Sequence, residues 1–384
     1  MALKIGLLTY HFSDNYGALY QAYALREWFR ERGHVAEFIP YHPHYVEDGG
    51  SFDRPWNPAL WRKNATILYM KFSQLQRRLL GDAKMRAGFE AFRRDYLGIA
   101  GVPIFDADVL GPEVANYDML VCGSDQIWNP SIQRGLDPLY FLDIPAAKRA
   151  RKVAYAPSFG RNRIEPEYNS QLFSLVSGLH GISVREPSGH SILIAAGVPP
   201  EAVTVVPDPT ILHGHFNEIL SCDGEIHDEL FCYALRTDDV IREVAGIAGT
   251  KMGLSLISSR SSRQRWRDIG TGVYLDPLNW LRMLARAKMV VSNSFHGVAI
   301  SIVLNKPFIA VALPGRKVGL NARVDDLLAM TGLQDRMIKD HAAADAIEQL
   351  VCQSIDWEAV NPRLAKARLS AERYLESQIV ACRG

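Results

Sequence analysis

The chain has 384 residues, too many for one ordinary core, so two domains or one unusually large one are expected. With 48% apolar and 22% charged residues it reads as soluble and globular, and a formal net charge of +1 gives no global attraction for nucleic acid or a strongly acidic partner. Lys4 to Tyr10 is a continuous apolar run, the pattern of a strand covered on both faces. A polar turn follows from His11 to Gly17. Ala18 to Arg32 then carries Leu19, Ala22, Tyr23, Leu25 and Phe29 at helical spacing. Gly33 ends that helix and Val35 to Ile39 is the next strand, so the chain opens as a βαβ unit.

Between His42 and Leu97 the pattern changes to an irregular, aromatic stretch marked by Pro55, Trp56, Pro58 and Trp61. Trp61 to Leu97 reads as helical and basic, with nine Lys or Arg against three Asp or Glu. An amphipathic basic helix can lie on anionic lipid, so this segment, with Trp56, Trp61, Phe72 and Phe92, is a candidate for peripheral membrane contact; a solvated helical hairpin packed on the first domain is the alternative. Buried strands follow at Asp118–Cys122, Lys152–Ala156, Gly181–Val184 and Val203–Val206.

Pro207-Asp208-Pro209 reads as the domain boundary, because proline removes donors and keeps its predecessor extended. Beyond it come strands at Glu229–Leu235 and Leu254–Ile257, a helix from Pro277 to Ala287, a strand at Met289–Ser292, a helix from Val298 to Asn305 and a strand at Phe308–Val311. Strands alternate with helices in both halves, which predicts an α/β protein of two Rossmann-like domains with parallel sheets, 1–207 and 208–360, with a helical insertion at about 42–110. A last helix, Pro362 to Ala381, has no strand after it and is expected to cross back onto the first domain, so residues 361–384 stand apart.

Neither a signal peptide nor an apolar run of about 18 residues is visible, so a cytoplasmic location is expected. The five cysteines, Cys122, Cys222, Cys232, Cys352 and Cys382, are dispersed without C-x-x-C or zinc spacing, as free thiols in a reducing compartment would be.

The strongest local signal is Met289 to Gly297, where a buried strand turns into an apolar helix. Ligands of open α/β sheets bind outside the carboxyl ends of strands, and the free N–H groups of a new helix attract an anion such as phosphate. Ser292, Asn293 and Ser294 can cap the helix or bond phosphate oxygens, Gly297 permits close approach of a ligand, and His296 stands where a proton donor is useful. A capped helix with a half-buried histidine is the alternative. Arg185, after the strand Gly181–Val184, can hold a carboxylate or phosphate, or form a structural pair with Glu186. Cys122 to Asn129 and Asp14 to Ala18 also follow buried strands, and each can contact substrate or only turn the chain. The basic run Arg260 to Arg267 reads as a solvated loop. G-x-G-x-x-G, Walker A, H-E-x-x-H and G-x-S-x-G are all absent.

Together these segments resemble the polysaccharide pyruvyl transferase family. The matching pieces are NYGALYQAYAL (15–25), GSDQIWN (123–129), SVREPSG (183–189), VVPDPTIL (205–212), SNSFHGVAISI (292–302) and NARVDDLL (321–328), in family order and covering most of the chain outside about 40–110. The resemblance implies a GT-B-like fold with the active site between the domains, an acceptor side on the first and a donor side on the second. It implies phosphoenolpyruvate as co-substrate, no cofactor and no metal in the chemistry. The acceptor would be a sugar of a surface polysaccharide (exopolysaccharide) or a lipid-linked oligosaccharide, as acceptors in this family often are. It makes His296 the general acid, Arg185 a donor-binding residue, Arg323 a further one and Asp125 the acid that could orient or deprotonate the acceptor; Phe295 joins Ser292, Asn293, Ser294 and Gly297 as a substrate-binding candidate of the same turn. Asn15 and Gly17 fall on the first matching piece. GSDQIWN departs from the run of glycines in other members, which weakens the match at Asp125. An imidazolium is favoured beside a phosphate dianion, which suits a general acid. A GT-B glycosyltransferase using a nucleotide sugar and a non-catalytic sugar- or anion-binding protein are the alternatives.

Overall fold

The computed structural model describes residues 2–43, 45, 83–99, 103–105, 110–220, 225–260 and 268–383. The stretch 46–82, with Trp56, Trp61 and Phe72, and the basic run from 261 to 267 lie outside them.

Two six-stranded sheets organise the chain, and every pairing is parallel. The first is built from β1 (Lys4–Leu8), β2 (Val35–Phe38), β3 (Met119–Cys122), β4 (Arg151–Ala154), β5 (Gly181–Val184) and β6 (Val203–Val205), in the order β2-β1-β3-β4-β5-β6. The second is built from β7 (His227–Tyr233), β8 (Ser255–Ser259), β9 (Thr271–Val273), β10 (Ala287–Ser292), β11 (Phe308–Val311) and β12 (Met337–Ile338), in the order β12-β11-β10-β7-β8-β9. Strands such as β3 and β11 are buried at every position, because helices cover both faces of a parallel sheet. The strand order reverses between β1 and β3 in the first sheet and between β10 and β7 in the second. Crevices at such reversals are where open α/β sheets bind ligands.

The helices that position the site are α1 (Tyr16–Glu31), α2 (Ala83–Tyr96), α3 (Pro209–His213), α4 (Pro277–Arg286), α5 (Phe295–Val303), α6 (Asn321–Thr331) and α7 (Trp357–Ala381). Helix α1 starts two residues before the sequence pattern suggests, because Asn15 caps it and accepts from the Gly17 and Ala18 amides. Helix α7 starts at Trp357 rather than Pro362: Asp356 accepts the Ala359 amide, and Pro362 lies inside the helix. Its carboxyl-terminal half packs on the first sheet, where Tyr374 Oη donates to the Ala154 carbonyl at 2.9 Å and Leu375 and Ile379 join Ile5, Leu7 and Val153.

The two halves share an apolar core. Tyr16, Leu19, Tyr20 and Tyr23 of α1 pack with Met85, Phe89 and Phe92 of α2 and with Phe231, Trp280, Leu284 and Val290 of the second half. The Tyr16 ring stacks on Trp280 at 5.0 Å, and the Tyr16 and Tyr20 hydroxyls donate to the Leu275 and Pro277 carbonyls, each at 2.7 Å. Phe92, read from the sequence as part of a lipid-facing surface, is 1% exposed and belongs to this core. The described part of the basic segment is therefore a wedge between the halves. No helix among the described residues is long and apolar enough to cross a membrane.

Candidate active site

The turn from β10 into α5 is built by its own polar side chains. Ser294 is the N-cap, accepting from the Gly297 amide at 3.4 Å, so α5 begins at Phe295, ahead of the glycine. Ser292 Oγ donates to the Tyr233 carbonyl at 2.7 Å and accepts from the Ser294 amide at 3.1 Å. Asn293 accepts from the Leu235 amide (2.7 Å) and donates to the Arg236 carbonyl (2.8 Å). Ser292 and Asn293 thus hold the β7–β10 crevice in shape, and their hydrogen-bonding groups serve the backbone rather than a phosphate. Gly297 is required by packing: a Cβ there would collide with Ser292 Oγ and lie 3.0 Å from the Tyr233 ring, so the tight fit is to the helix's own strand and not to a ligand.

His296 is buried at the start of α5. Its Nε2 stands 3.4 Å from Asp208 Oδ2, at ion-pair range but not aligned as a hydrogen bond. The other side of the ring faces the start of α1, where a Cβ on Gly17 would overlap Nδ1 and lie 2.6 Å from Cγ. The amino termini of α1 and α5 therefore meet at this imidazole, and their partial positive charges add there.

Asp208, the N-cap of α3, lies in the Pro-Asp-Pro of the sequence-based domain boundary and in the matching piece 205–212, with no site role expected of it. Its Oδ1 accepts from the Thr210 amide (3.0 Å) and hydroxyl (2.9 Å), and its Oδ2 accepts from Arg185 Nη1 at 2.8 Å. Burial alone would raise its pKa, but His296, Arg185 and the Thr210 amide outweigh that and hold the carboxyl well below the usual range. The extended Pro-Asp-Pro just past β6 was the available signal, since a carboxylate at a strand's carboxyl end is poised over the site.

Arg185 follows β5 and donates from Nε to Glu186 at 2.7 Å as well as from Nη1 to Asp208. The fork expected to clasp a ligand is thus already occupied on two sides, and only Nη2 is left without a partner. Burial opposes its charge, but Glu186, Asp208 and Asp125 more than compensate and raise its pKa.

Arg323, on α6, is different. It is 6% exposed, makes no ion pair among the described residues, and its Nε lacks a hydrogen-bond partner. Burial first, then Arg185, pulls its pKa down to about 10, so it remains a cation at neutral pH, but a poorly compensated one. Both guanidiniums lie over the Phe295 ring, at 4.4 Å for Arg185 and 5.8 Å for Arg323. They wall a cavity of about 600 Å³ between the halves, with Asp208, Asp326, Arg363 and Lys366 also on its lining. His296 does not line it, but is joined to its wall through Asp208. Burial, with Glu186 and Asp325 nearby, raises Asp326 to about 6. The contribution of α7 is not legible in the sequence, because nothing in its helical pattern marks Arg363 and Lys366 as facing a site.

Asp125 follows β3, is 9% exposed and has φ 63°, which few side chains other than Asn and Asp adopt readily. Its charge reaches both Arg185 and Arg323. Asn15 serves α1 as its cap. The structure thus gathers Arg185, Arg323, Phe295, His296, Gly17 and Asp125 beyond the carboxyl ends of the strands of the two sheets and adds Asp208.

Two solved structures show the architecture as a whole. The chain is 11% identical to Arabidopsis thaliana UGT89C1 complexed with UDP-L-rhamnose, covering 100% of this chain and 99% of that one, with a TM-score of 0.50. It is 10% identical to the Methanocaldococcus jannaschii UDP-GlcNAc 2-epimerase in complex with UDP-GlcNAc and UDP, covering 99% and 100%, also with a TM-score of 0.50. At these identities the likeness is one of fold, the two-domain GT-B architecture. None of the curated proteins matches the chain in sequence. A family model does, across residues 15–313, which takes in Gly17, Asp125, Arg185, Asp208 and His296: the chain belongs to the polysaccharide pyruvyl transferase family.

Proposed function

We propose that this pyruvyltransferase takes its pyruvyl group from phosphoenolpyruvate and joins it to two hydroxyls of one sugar as a ketal, on a surface polysaccharide or its lipid-linked precursor. The observation that carries the reading is the buried guanidinium of Arg323, which makes no ion pair among the described residues, with the free Nη2 of Arg185 over the same Phe295 ring. A buried cation without a counter-charge is costly, and a small dense anion is the ligand that offsets it. Arg323 and the free Nη2 of Arg185 take the donor's anionic groups. Asp208 faces Nε2 of His296, so Nδ1, on the Gly17 side, carries the transferable proton. Protonation of the donor's methylene carbon makes C2 electrophilic. A sugar hydroxyl adds to C2, the C2–O bond to phosphate breaks and phosphate leaves. A second hydroxyl closes the ketal, and of the two hydroxyl protons one replaces that given by His296 and the other leaves with phosphate. Asp125 stands on the acceptor side as the group that orients a hydroxyl. No metal or cofactor enters these steps.

The test is phosphate release from phosphoenolpyruvate across glycosides and lipid-linked sugars, with nucleotide sugars in parallel. His296→Ala and His296→Gln should stay folded and still bind phosphoenolpyruvate, but lose about 10²- to 10⁴-fold in kcat, the range for a general acid. Turnover of a nucleotide sugar in place of phosphoenolpyruvate, or near-normal turnover by a folded His296→Ala protein, would overturn the reading.

A further inference from the structure

The two helices that hold His296 at their near ends meet again at their far ends. Helix α1 ends at Glu31, and α3 ends at His213. Gly214 (φ 77°) then turns the chain through the left-handed region and brings His215 alongside. His215 Nε2 is 3.2 Å from Glu31 Oε1, and His213 Nδ1 is 3.7 Å from Glu31 Oε2, too long for a hydrogen bond. The two imidazole centroids are 4.1 Å apart. One donor atom from each of the three residues lies within 4.8 Å of the others.

His213 is the independent observation. Its side chain is 2% exposed, packed edge-on against Tyr23 and Phe216, yet its Nδ1 has no hydrogen-bond partner and is turned toward Glu31 and His215. A buried polar atom left without a partner calls for an explanation, and a bound ion is one.

We propose that Glu31, His213 and His215 form a site for a zinc-class divalent transition-metal ion, which fastens the end of α1 to the end of α3. Two imidazoles and one carboxylate are a set that zinc accepts, with water completing the shell. Glu31 and His215 are partly exposed, so the ion enters from solvent, while His213 supplies the buried ligand. Two cations stand nearby. Arg32 is paired with Glu372 at 2.9 Å, and Arg368 donates from Nε to the Ile211 carbonyl at 3.0 Å. Both repel any divalent cation alike, so selection rests on the two imidazole nitrogens, which suit zinc and not the oxygen-seeking Ca²⁺ or Mg²⁺. The ion takes no part in the transfer chemistry. It is placed to stiffen the pair of helices whose other ends present Gly17 and Asp208 to His296.

The experiment uses the full-length chain without a histidine tag, stripped with a chelator and titrated with zinc by calorimetry, with thermal melting in parallel. One ion should bind per chain and raise Tm. His215→Ala and Glu31→Gln alter exposed side chains, so both should fold, and both should lose the zinc binding and the rise in Tm. Cobalt should give visible bands without thiolate charge transfer, which separates this site from adventitious binding at Cys352 or Cys382. Absence of saturable binding at micromolar zinc, or binding that persists undiminished in both variants, overturns the proposal.

Discussion

At the scale of single residues, the site is a chain of charges in which one buried carboxylate joins Arg185 to His296. Asp208 touches Arg185 at 2.8 Å and lies 3.4 Å from His296, so it sets the position of both. Asp208→Asn keeps the shape and the contacts to Thr210 but removes the charge. On the proposed mechanism turnover should fall by more than the donor KM rises, because His296 loses its charged neighbour while Arg323 is untouched. The pH dependence supplies a second readout. The Asp208 pKa is depressed in the folded state, so its contribution to stability is present above the ordinary Asp value of about 4 and is lost as pH falls through the depressed folded value. Acid unfolding of Asp208→Asn should therefore lack that component, with lower stability at pH 7 and a shallower decline below pH 4. Unchanged kcat and an unchanged acid limb would show Asp208 to be a helix cap alone. The sequence pointed to His296, Arg185 and Arg323 because a strand end followed by a polar turn, or a matching segment, marks them. It offered the pair of Arg185 with Glu186 as an alternative, and that pair is present, but it could not show the contact to Asp208, because pairing across 23 positions in sequence leaves no local pattern.

At the scale of elements, the strand-to-helix turns were legible and their inner roles were not. Short continuous apolar runs located β1, β3, β5, β10 and β11 to within a residue or two. The two-residue β12 and the three-residue β9 escaped, since so few residues carry no periodicity. Serine and asparagine after β10 suit either a cap or a ligand, and only the distances to Tyr233, Leu235 and Arg236 decide for the backbone. Gly17 is the sharper case. In the sequence it belongs to a turn, but in the fold it is the point where α1 meets the His296 imidazole, with no room for a side chain. Gly17→Ala should displace the His296 ring or push α1 away. Overpacking of this kind costs about 1–3 kcal/mol, and turnover should fall with it. The cost should shrink in a His296→Ala background, where the ring is gone, and a double-mutant cycle measures that coupling. Equal destabilisation in both backgrounds would place the strain elsewhere.

At the scale of the whole molecule, the composition and the alternation of strands and helices pointed to two sheets, and two sheets are present. What the pattern could not reveal is that, besides an apolar core of its own in each half, one large core spans both. An amphipathic helix advertises a buried face but not which sheet will bury it. Helix α1 connects β1 to β2 of the first sheet yet places Tyr16, Tyr20 and Tyr23 with Trp280 and Phe231 of the second half, and α2 fills the remaining gap with Met85, Phe89 and Phe92. Relative motion of domains is the usual expectation only where their interface is small or polar. A shared apolar core instead couples their unfolding. Calorimetry should therefore give one transition, with the van't Hoff enthalpy matching the calorimetric one, where independent domains would give two. Phe92→Ala tests the same coupling from a helix outside both sheets: it should cost about 3–5 kcal/mol and move the entire transition. Two resolved transitions, or a Phe92→Ala shift confined to one of them, would mean that the halves unfold separately and that the contact across Tyr16 and Trp280 is only a docking surface.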